Sequence, residues 1–520
     1  MTQATPLGIV RTALLSVHDK DGLLPLAQGL AALGVELIAS GGTAAALSKA
    51  GLAVTPVEKW TGAPEILEGR VKTLHPKIHG GILADRRKEP HLVALAEAGL
   101  RPIDLVVCNL YPFHETVASG AGHDTIVENI DVGGPTMIRA AAKNADGGVT
   151  VLTDWADARA LLDTLKTHHA VPSTMRRALA AKAFALTARY DASIANHWAR
   201  IAEPSQPLPQ LFGPFERVQP LRYGENPHQP GALYLDTSGE GGIGRAKRIA
   251  GKALSYNNLL DLDAAWRTVE KLPGRAAVVV KHLQPCGLAV GATTTEAFLR
   301  AWDGDTLSAF GGVVALNVPL DGETAACITS GKLFIECIAA PGFSPEALAR
   351  LEEKRDLRLV EVPFGGANAG LWAHRIGGGL LVEASDAVSD DDSAWTCVTH
   401  KNPDASQRQA LKLAWHAVAH SKSNAIALVR AGQLVGYGAG QTSRVAAVED
   451  AVRRAGERAR GAVLASDAFF PFADGVEAAL KAGIKAVVQP GGSKRDAEVI
   501  AACDAAEAVM CFTGQRHFRH

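Results

Sequence analysis

Short apolar runs alternate with helical stretches over the first 200 residues. Runs such as Thr12–Val17 and Val35–Ala39 have the length and composition of buried strands. Each is followed by a stretch whose apolar positions have helical spacing, Gly22–Leu33 after the first and Thr43–Ala50 after the second. Such alternation predicts βαβ units, in which helices cover both faces of a parallel sheet. A longer helical stretch, Ser173–Ala202, closes this part of the chain.

The segment 203–214 interrupts this pattern. Its sequence, EPSQPLPQLFGP, has four prolines and few charges, so it predicts no regular element. We therefore predict a linker at residues 203–214, between a first domain over residues 1–202 and a second region over residues 215–520. The second region again mixes short strands with amphipathic helices, and it shows no convincing sequence repeat. The expected fold class is α/β throughout.

Composition narrows the class of protein. A chain of 520 residues is too long for one hydrophobic core, and its net charge of −1 disfavours a nucleic-acid or membrane-surface partner. The N-terminus lacks the features of a secretory signal, and no apolar run approaches the roughly 20 residues of a membrane span. The seven cysteines are scattered without a C-x-x-C pair, so neither a disulfide framework nor a thiolate zinc site is expected. We expect a cytoplasmic protein.

Polar residues follow several strands of the first domain at the point where each strand ends. Ser40-Gly41-Gly42-Thr43 follows one strand and opens a helix, where free N–H groups and the helix dipole favour phosphate. One such motif alone is more simply a turn or a solvated face. Several at one sheet edge predict a pocket for a phosphorylated small molecule. The other candidates are His18, Lys20, Arg70, Lys72, Thr73, Asn109, Tyr111, Asp131 and Lys143.

The pair Lys281-His282 ends an apolar strand in the second region. A lysine beside an imidazole suits general acid and base work, because the cation lowers the pKa of the histidine and keeps it neutral. The alternative is a solvated pair at the end of a strand. The Lys281-His282 pair by itself does not distinguish the catalytic interpretation from the solvated strand end.

Longer motifs resolve this choice. In the first domain SVHDKDGL, ASGGTA, GRVKTLHP, CNLYPF and NIDVGGPTMIRAAAKN resemble the cyclohydrolase half of the AICAR transformylase/IMP cyclohydrolase family. In the second region RYGENPHQ, SAFGG, HSKSNAI, GAGQTSR, SDAFFPFAD and GQRHF resemble its transformylase half. The resemblance implies a methylglyoxal-synthase-like, doubly wound parallel-sheet domain, then two cytidine-deaminase-like subdomains used without zinc. It also implies two activities: formylation of an aminoimidazole carboxamide ribotide (AICAR), and closure of formyl-AICAR to inosine monophosphate (IMP).

The resemblance implies roles for residues of the first domain. Lys143 would transfer a proton and Lys72 would stabilise the developing oxyanion. Tyr111 and Asp131 would orient the amide. Substrate contacts would come from His18, Lys20, Ser40, Gly41, Gly42, Thr43, Arg70, Thr73, Cys108 and Asn109. His18 departs from the family, which usually has a small hydroxyl residue there.

The resemblance also assigns residues of the second region. His282 would transfer a proton, Lys281 would assist the leaving folate nitrogen, and Asn424 would hold the formyl oxygen. Substrate contacts would come from Arg222, Tyr223, Gly311, Arg444, Phe469, Asp474 and Arg516. Gln284 and Gly342 depart from the residues usual in the family. We expect the chain end, Phe512–Phe518, to continue a strand and dock at this site.

The implied co-substrate is 10-formyltetrahydrofolate, a reduced folate, and the implied assembly is a homodimer. A monovalent cation is allowed by the resemblance, whereas zinc, nucleic acid and membrane partners are not expected. A zinc deaminase would need H-x-E and P-C-x-x-C, and Pro285-Cys286 has no second cysteine. A nicotinamide dehydrogenase is suggested only by Gly239–Gly244, which reads as a loop. A non-catalytic ligand sensor is the remaining alternative, and turnover of the ribotide would distinguish it.

Overall fold

The computed structural model describes residues 7–202, 215–236, 241–331, 333–365, 371–389 and 391–520. The chain divides into two compact units, residues 1–214 and 215–520. The predicted linker, 203–214, lies outside the described residues. Within the part of the chain that the structure describes, no helix combines the length and apolarity of a membrane span.

Five strands form the sheet of the first unit, in the order β3-β2-β1-β4-β5. The strands are β1 Thr12–Ser16, β2 Glu36–Ala39, β3 Thr55–Pro56, β4 Leu105–Cys108 and β5 Thr150–Leu152. All neighbouring strands are parallel, as the alternation of strands and helices predicts. Their carboxyl ends therefore meet at one edge of the sheet.

Helices pack on this sheet and begin at that edge where they follow a strand. They are α1 Leu23–Ala32, α2 Gly41–Lys49, α3 Val57–Thr61, α4 Pro76–Leu83, α5 Glu89–Glu97, α6 Phe113–Ala118, α7 His123–Glu128, α8 Gly133–Lys143, α9 Ala158–His168 and α10 Ser173–Ala202. The apolar faces of α1, α8 and α10 join the strands in one buried cluster. This core fixes the loops at the carboxyl edge.

The second unit is built on a mixed sheet of twelve strands. Its strands are β8 Lys247–Ala250, β9 Arg275–Lys281, β10 Gln284–Gly291, β11 Gly312–Leu316, β12 Ile335–Ala340, β13 Arg358–Glu361, β16 Thr396–Cys397, β17 Ile426–Arg430, β18 Gln433–Gly438, β19 Val463–Ser466, β20 Ala486–Gln489 and β21 Val509–Phe512. Two further pairs are hairpins, β6 Phe215–Leu221 with β7 Gly231–Asp236 and β14 Leu371–Ile376 with β15 Gly379–Ala384. The helices are α11 Tyr256–Val269, α12 Thr294–Asp303, α13 Thr306–Ala309, α14 Gly322–Ser330, α15 Pro345–Leu351, α16 Ala405–Ala419, α17 Arg444–Ala455, α18 Asp474–Lys481 and α19 Asp496–Ala505.

The twelve-stranded sheet contains the same arrangement twice. The orders β10-β9-β11-β12-β13 and β18-β17-β19-β20-β21 diverge from a central antiparallel pair, β10 with β18. In each half the first two pairings are antiparallel and the last two are parallel. The helix before each hairpin, α11 or α16, belongs to the repeat. The α/β class is confirmed, and the second region is a mixed-sheet α/β fold.

Few residues mark this repeat in the sequence, and for that reason sequence inspection does not find it. Trp266 and Trp415 lie in the corresponding helices α11 and α16, and both are buried. Gly287 and Gly436 lie in the corresponding strands β10 and β18. A Cβ atom on Gly287 would lie 1.8 Å from a carbonyl oxygen of the next helix, and one on Gly436 would lie 2.3 Å away. Only glycine permits this approach of helix to strand.

Candidate active sites

The turn before α2 is tied to the end of β1. The hydroxyl groups of Ser16 and Ser40 are hydrogen-bonded at 2.8 Å, and Thr43 Oγ1 lies 3.1 Å from both the N–H and the carbonyl oxygen of Val17. The helix begins at Gly41, whose φ of +35° favours glycine. Because the first N–H groups of a helix have no intrahelical acceptor, this turn is suited to bind a phosphate group.

Lys72 lies against the start of α2. A Cβ atom on Gly41 would lie 3.1 Å from Lys72 Nζ, so the ammonium group packs against the first residue of the helix. The same Nζ pairs with Glu65 Oε2 at 2.6 Å. The next residue, Thr73, is buried, and a Cβ atom on Gly133 would lie 2.8 Å from its Oγ1. Lys72 and Thr73 therefore connect the starts of α2 and α8.

Asp131 is fixed just before α8. Its Oδ1 accepts the N–H of Gly134 at 2.7 Å, and its own N–H donates to Tyr190 Oη at 2.7 Å. Burial raises the pKa of Asp131, although the Gly134 N–H and the charge of His18 oppose that shift. The His18 and Tyr111 rings lie 5.3 Å apart, edge to face. The carboxyl group of Asp131 can therefore exchange a proton closer to neutral pH than an ordinary aspartate can.

Three further residues that were predicted to contact the substrate make contacts within the protein. Asn109 Oδ1 accepts the N–H groups of His18 and Asp19 at 2.7 and 3.1 Å, and its Nδ2 donates to Asp19 O at 2.8 Å. Lys20 Nζ donates to His18 O at 3.1 Å. Cys108 is buried at the end of β4, and burial raises the pKa of its thiol, so it packs as a small apolar group. Asn109 therefore shapes the loop after β1.

Two predicted residues lie away from this cluster. The exposed Arg70 guanidinium forms an ion pair with Glu128, which raises the pKa of Arg70. Lys143 is exposed at the last position of α8, whereas Asp131 precedes the first. A helix of 11 residues rises about 1.5 Å per residue, which separates its ends by about 15 Å. The next residue, Asn144, accepts a hydrogen bond on its carbonyl oxygen from the N–H of Val149, just before β5. This end of α8 therefore lies at the opposite edge of the sheet. The structure thus does not bring Lys143 to Asp131.

In the second unit, His282 and Leu283 form the turn between β9 and β10. Both have left-handed backbone angles, with φ of +53° and +66°. Lys281, the last residue of β9, donates from Nζ to the carbonyl oxygen of Phe310 at 2.7 Å. Gly311 follows with φ of +73°, a left-handed conformation that favours glycine. The Lys281-His282 pair therefore lies beside the motif SAFGG.

A cavity of about 240 Å³ lies beside this turn, lined in part by Lys281, His282 and Gln441. Asn424 is joined to its wall, since its Nδ2 and backbone N–H both donate to Gln441 O, at 2.8 and 3.1 Å. The peptide bond before Asn424 is cis. The structure thus brings His282, Lys281 and Asn424 to one region.

Arg444 lies beneath the loop that carries Asn424. It forms an ion pair with Asp467, and their side chains are only 6% and 0% exposed. Asp467 also accepts the Ala425 N–H at 3.0 Å and a hydrogen bond from the Ser423 hydroxyl. Arg444 was predicted to line a substrate pocket, and that stays a prediction. In the structure it supports the loop, because its guanidinium pairs with Asp467.

Five other predicted contact residues stand apart from the cavity. The Arg222 guanidinium lies 5.7 Å from the Tyr223 ring centroid. Asp474 Oδ1 accepts the N–H of the residue that follows it. Phe469 is 37% exposed, and the guanidinium of Arg516 stacks 4.7 Å above a nearby phenyl ring. Among the described residues, none of these five lines the 240 Å³ cavity.

The chain end differs from its prediction. Strand β21 stops at Phe512, so the following residues do not continue it. They nevertheless pack on the Asn424 loop: the N–H of His517 donates to Asp467 O at 3.0 Å, and Arg519 O accepts the Ser423 N–H at 2.8 Å. The chain end is therefore held at the loop by backbone hydrogen bonds, and it does not extend the sheet.

One residue that touches the second site, Asp261 on α11, carries no recognisable signal in the sequence. It accepts the Leu283 N–H at 2.8 Å. No motif or periodicity marks Asp261, because it acts through the tertiary fold. Gln441, which was quoted only as part of the motif GAGQTSR, supplies the carbonyl oxygen that holds Asn424. Gln284, noted as a departure from the family, accepts from the Tyr437 hydroxyl, so it cross-links β10 to β18.

The zinc and nicotinamide alternatives gain no support. Among the described residues, no group of three His, Cys, Asp or Glu side chains is arranged to hold a metal ion. Burial raises the pKa of Cys286 to about 12, which disfavours the thiolate that zinc requires. Of the Gly239–Gly244 stretch, the first two residues lie outside the described part. Ile243–Arg245 forms one 3-10 turn and opens no helix.

Sequence comparisons agree with this arrangement. The family described as AICARFT/IMPCHase bienzyme matches residues 141–454, and the MGS-like domain matches residues 22–136. A bifunctional purine biosynthesis protein PurH of Cereibacter sphaeroides (strain ATCC 17029) is 50% identical, with all of both chains covered. The PurH protein of Listeria monocytogenes (strain EGD-e) is 47% identical over 98% of this chain and 100% of its own. A crystal structure of ForH has 39% identity over 36% of this chain and 96% of its own, with a TM-score of 0.32.

These matches span both units and include the turn at Gly41, the Lys281-His282 pair and the Asn424 loop. Identity near 50% over the whole length is far above what a shared fold alone requires. The chain belongs to the AICARFT/IMPCHase bienzyme family, and it is a bifunctional enzyme of purine biosynthesis.

Proposed function

We propose that the second unit transfers the formyl group of 10-formyltetrahydrofolate to AICAR, and that the first unit closes formyl-AICAR to IMP with loss of water. The observation that carries this proposal is the sequence identity to two PurH proteins, which is 50% over all of this chain for one and 47% over 98% of it for the other. Each unit also has its own candidate site, one at the start of α2 and one at the β9–β10 turn. Each site contains a lysine, Lys72 in the first and Lys281 in the second, that would act on a carbonyl group under attack by nitrogen.

Cyclisation is intramolecular, so holding the two reacting groups together supplies much of the rate. The start of α2 would bind the 5′-phosphate through its free N–H groups. The carboxamide nitrogen attacks the formyl carbon, and Lys72 would stabilise the oxygen that develops negative charge. Asp131 would accept the nitrogen's proton, a role that its raised pKa favours. The oxygen of the resulting carbinolamine takes up this proton and the proton of the formamide nitrogen. It leaves as water as the C–O bond breaks and a C=N bond forms in the ring. Tyr111 would orient the amide. Lys143 is assigned no step within one copy of the chain, because it lies at the far end of α8.

Formyl transfer needs a base, because the lone pair of the AICAR amine is delocalised into the ring. The amine nitrogen attacks the formyl carbon while its proton passes to His282. The Asn424 amide would donate to the formyl oxygen of the tetrahedral intermediate. Collapse breaks the bond to the folate nitrogen, which leaves with a proton as tetrahydrofolate. Lys281 would favour that departure.

We also propose a cytoplasmic homodimer that acts without zinc and accommodates a monovalent cation. The family resemblance supports each part of this statement. Exposed apolar residues on the β14–β15 hairpin, Leu380 and Leu381 among them, favour an interface. Sedimentation of the purified chain would measure its oligomeric state, and metal analysis would detect stoichiometric zinc, which would contradict the proposal.

The direct test supplies the purified full chain with AICAR and 10-formyltetrahydrofolate and follows IMP. Omission of either compound should abolish the product. The Lys143→Ala variant, given formyl-AICAR, decides whether that residue also takes part in cyclisation. Absence of IMP from a folded wild-type protein would refute the proposed function.

A further inference from the structure

The turn that carries His282 has an unfavourable backbone for its sequence. A two-residue hairpin turn with both residues left-handed normally contains Asn-Gly, Asp-Gly or Gly-Gly. Here the two positions are His282 and Leu283, with φ of +53° and +66°. A Cβ atom opposes this conformation, and a branched apolar residue such as leucine has no polar atom to compensate. Something outside the turn must hold it.

Asp261 is the group placed to do so. Its Oδ1 accepts the Leu283 N–H at 2.8 Å. The Asp261 side chain is half-buried on α11, beside the turn. A carboxylate that accepts the Leu283 N–H fixes the peptide group between His282 and Leu283, because charge-assisted hydrogen bonds are short and directional.

The second half of the sheet supplies an internal comparison. Its corresponding turn, between β17 and β18, is Ala431-Gly432, with φ of +49° and +75°. Glycine at the second position forms this turn without strain. By the separation of Trp266 from Trp415, the helix position that corresponds to Asp261 is Ala410, which has no acceptor in its side chain. The same hairpin thus occurs with a glycine and no carboxylate acceptor at the corresponding helix position, or with that acceptor and no glycine.

We propose that Asp261 is a positioning residue for formyl transfer, which holds the His282–Leu283 turn so that the imidazole faces the cavity. The proposal rests on the proposed function of the second unit. The carboxylate does not touch the substrate in this account. It acts through the backbone of His282, so an acceptor of the same shape should replace it, and a more permissive turn should make it less necessary.

The experiment uses four variants of the full chain: Asp261→Ala, Asp261→Asn, the double variant Asp261→Ala with Leu283→Gly, and Asp356→Ala as a control. Asp356 is an exposed carboxylate of the same unit that pairs with the exposed Lys252. Formyl transfer is measured as kcat and KM for AICAR. Cyclisation of supplied formyl-AICAR is measured as well, because a normal rate shows that the variant protein is folded. Amide hydrogen exchange at Leu283 reports the anchor independently of catalysis.

Loss of the anchor in Asp261→Ala should lower the kcat of formyl transfer about 10- to 100-fold, as misplacement of a catalytic group does. The KM for AICAR and the rate of cyclisation should change little. Asp261→Asn retains an acceptor oxygen and should restore most of the kcat, and the double variant should recover part of it. Exchange at position 283 should accelerate in both variants that carry Asp261→Ala, and Asp356→Ala should resemble the wild type.

Unchanged kcat and exchange in Asp261→Ala would overturn the proposal. So would a loss that neither asparagine nor the added glycine reverses, because the carboxylate would then act chemically. A wild-type protein without formyl transfer would refute the proposed function instead. In that case hydrogen exchange still decides whether Asp261 holds the turn.

Discussion

Arg444 and Asp467 form a buried ion pair beneath the loop that presents Asn424. Asp467 also accepts the Ala425 N–H, so the pair and the loop backbone form one network. A buried charge is stable only while its partner is present. The network therefore links the stability of the second unit to the position of a proposed catalytic amide.

Asp467→Asn should destabilise the protein strongly. The substitution preserves shape but leaves the Arg444 guanidinium buried without a counter-charge, which costs about 3–5 kcal/mol. Equilibrium urea denaturation measures this change. The control is Lys401→Gln, which breaks the exposed pair with Glu507 and should cost less than about 1 kcal/mol. Equal effects of the two substitutions would contradict the account.

Gly41→Ala should impair cyclisation alone. A Cβ atom there would lie 3.1 Å from Lys72 Nζ, on a backbone with φ of +35°, and we expect cyclisation of formyl-AICAR to fall about tenfold or more as Lys72 shifts. Gly122→Ala is the control, since a Cβ atom at Gly122 has nothing within 4 Å and its φ is −63°. Formyl transfer should be normal in both variants. Equal cyclisation rates in both variants would show that Lys72 is not held by this contact.

Cyclisation should require ionised Asp131. Burial raises the pKa of this carboxyl group, so its base form is lost at a higher pH than for an ordinary aspartate. The rate should therefore fall on the acid side of neutrality, and Asp131→Asn should lose about 10²- to 10⁴-fold with no remaining acid limb. Stopped-flow or steady-state rates across pH test this. A variant that keeps the wild-type acid limb would assign the limb to another group.

His420 should make the protein sensitive to acid. Burial lowers the pKa of this histidine to about 3, while its Nδ1 donates to His416 O at 2.9 Å. Below an ordinary pKa near 6.5 the unfolded chain takes up a proton that the folded chain does not, so the free energy of unfolding should fall by about 1.4 kcal/mol per pH unit from this group.

His420→Gln should remove that part of the slope between pH 6 and 4.5 in urea denaturation. His374→Gln, at an exposed position in β14, should leave the slope unchanged. An identical slope in wild type and His420→Gln would show that another group titrates.

The alternation of strands and helices was enough to predict the parallel sheet and the position of the Ser40–Thr43 turn. The apolar run before Lys281 likewise predicted a strand end. The resemblance implied two related subdomains, but the sequence itself showed no repeat, because the halves share only strand order and a few packing residues such as Trp266 and Trp415. Contacts made by Asp261 and Asp467 were also invisible, since they join elements far apart in sequence.

Lys143 illustrates a different lesson. The motif NIDVGGPTMIRAAAKN contains both Lys143 and Asp131, and the two were predicted to act at one site. Helical geometry separates them, because α8 runs from one edge of the sheet to the other. Residues of one motif therefore need not share a site.

The central claim is that two independent sites, one in each unit, carry the two reactions. Each half-reaction should be measured on His282→Ala and Lys72→Ala. We predict that His282→Ala converts supplied formyl-AICAR to IMP at the wild-type rate but does not release tetrahydrofolate from AICAR and 10-formyltetrahydrofolate. Lys72→Ala should show the reverse. Loss of both half-reactions in either folded variant would contradict the account.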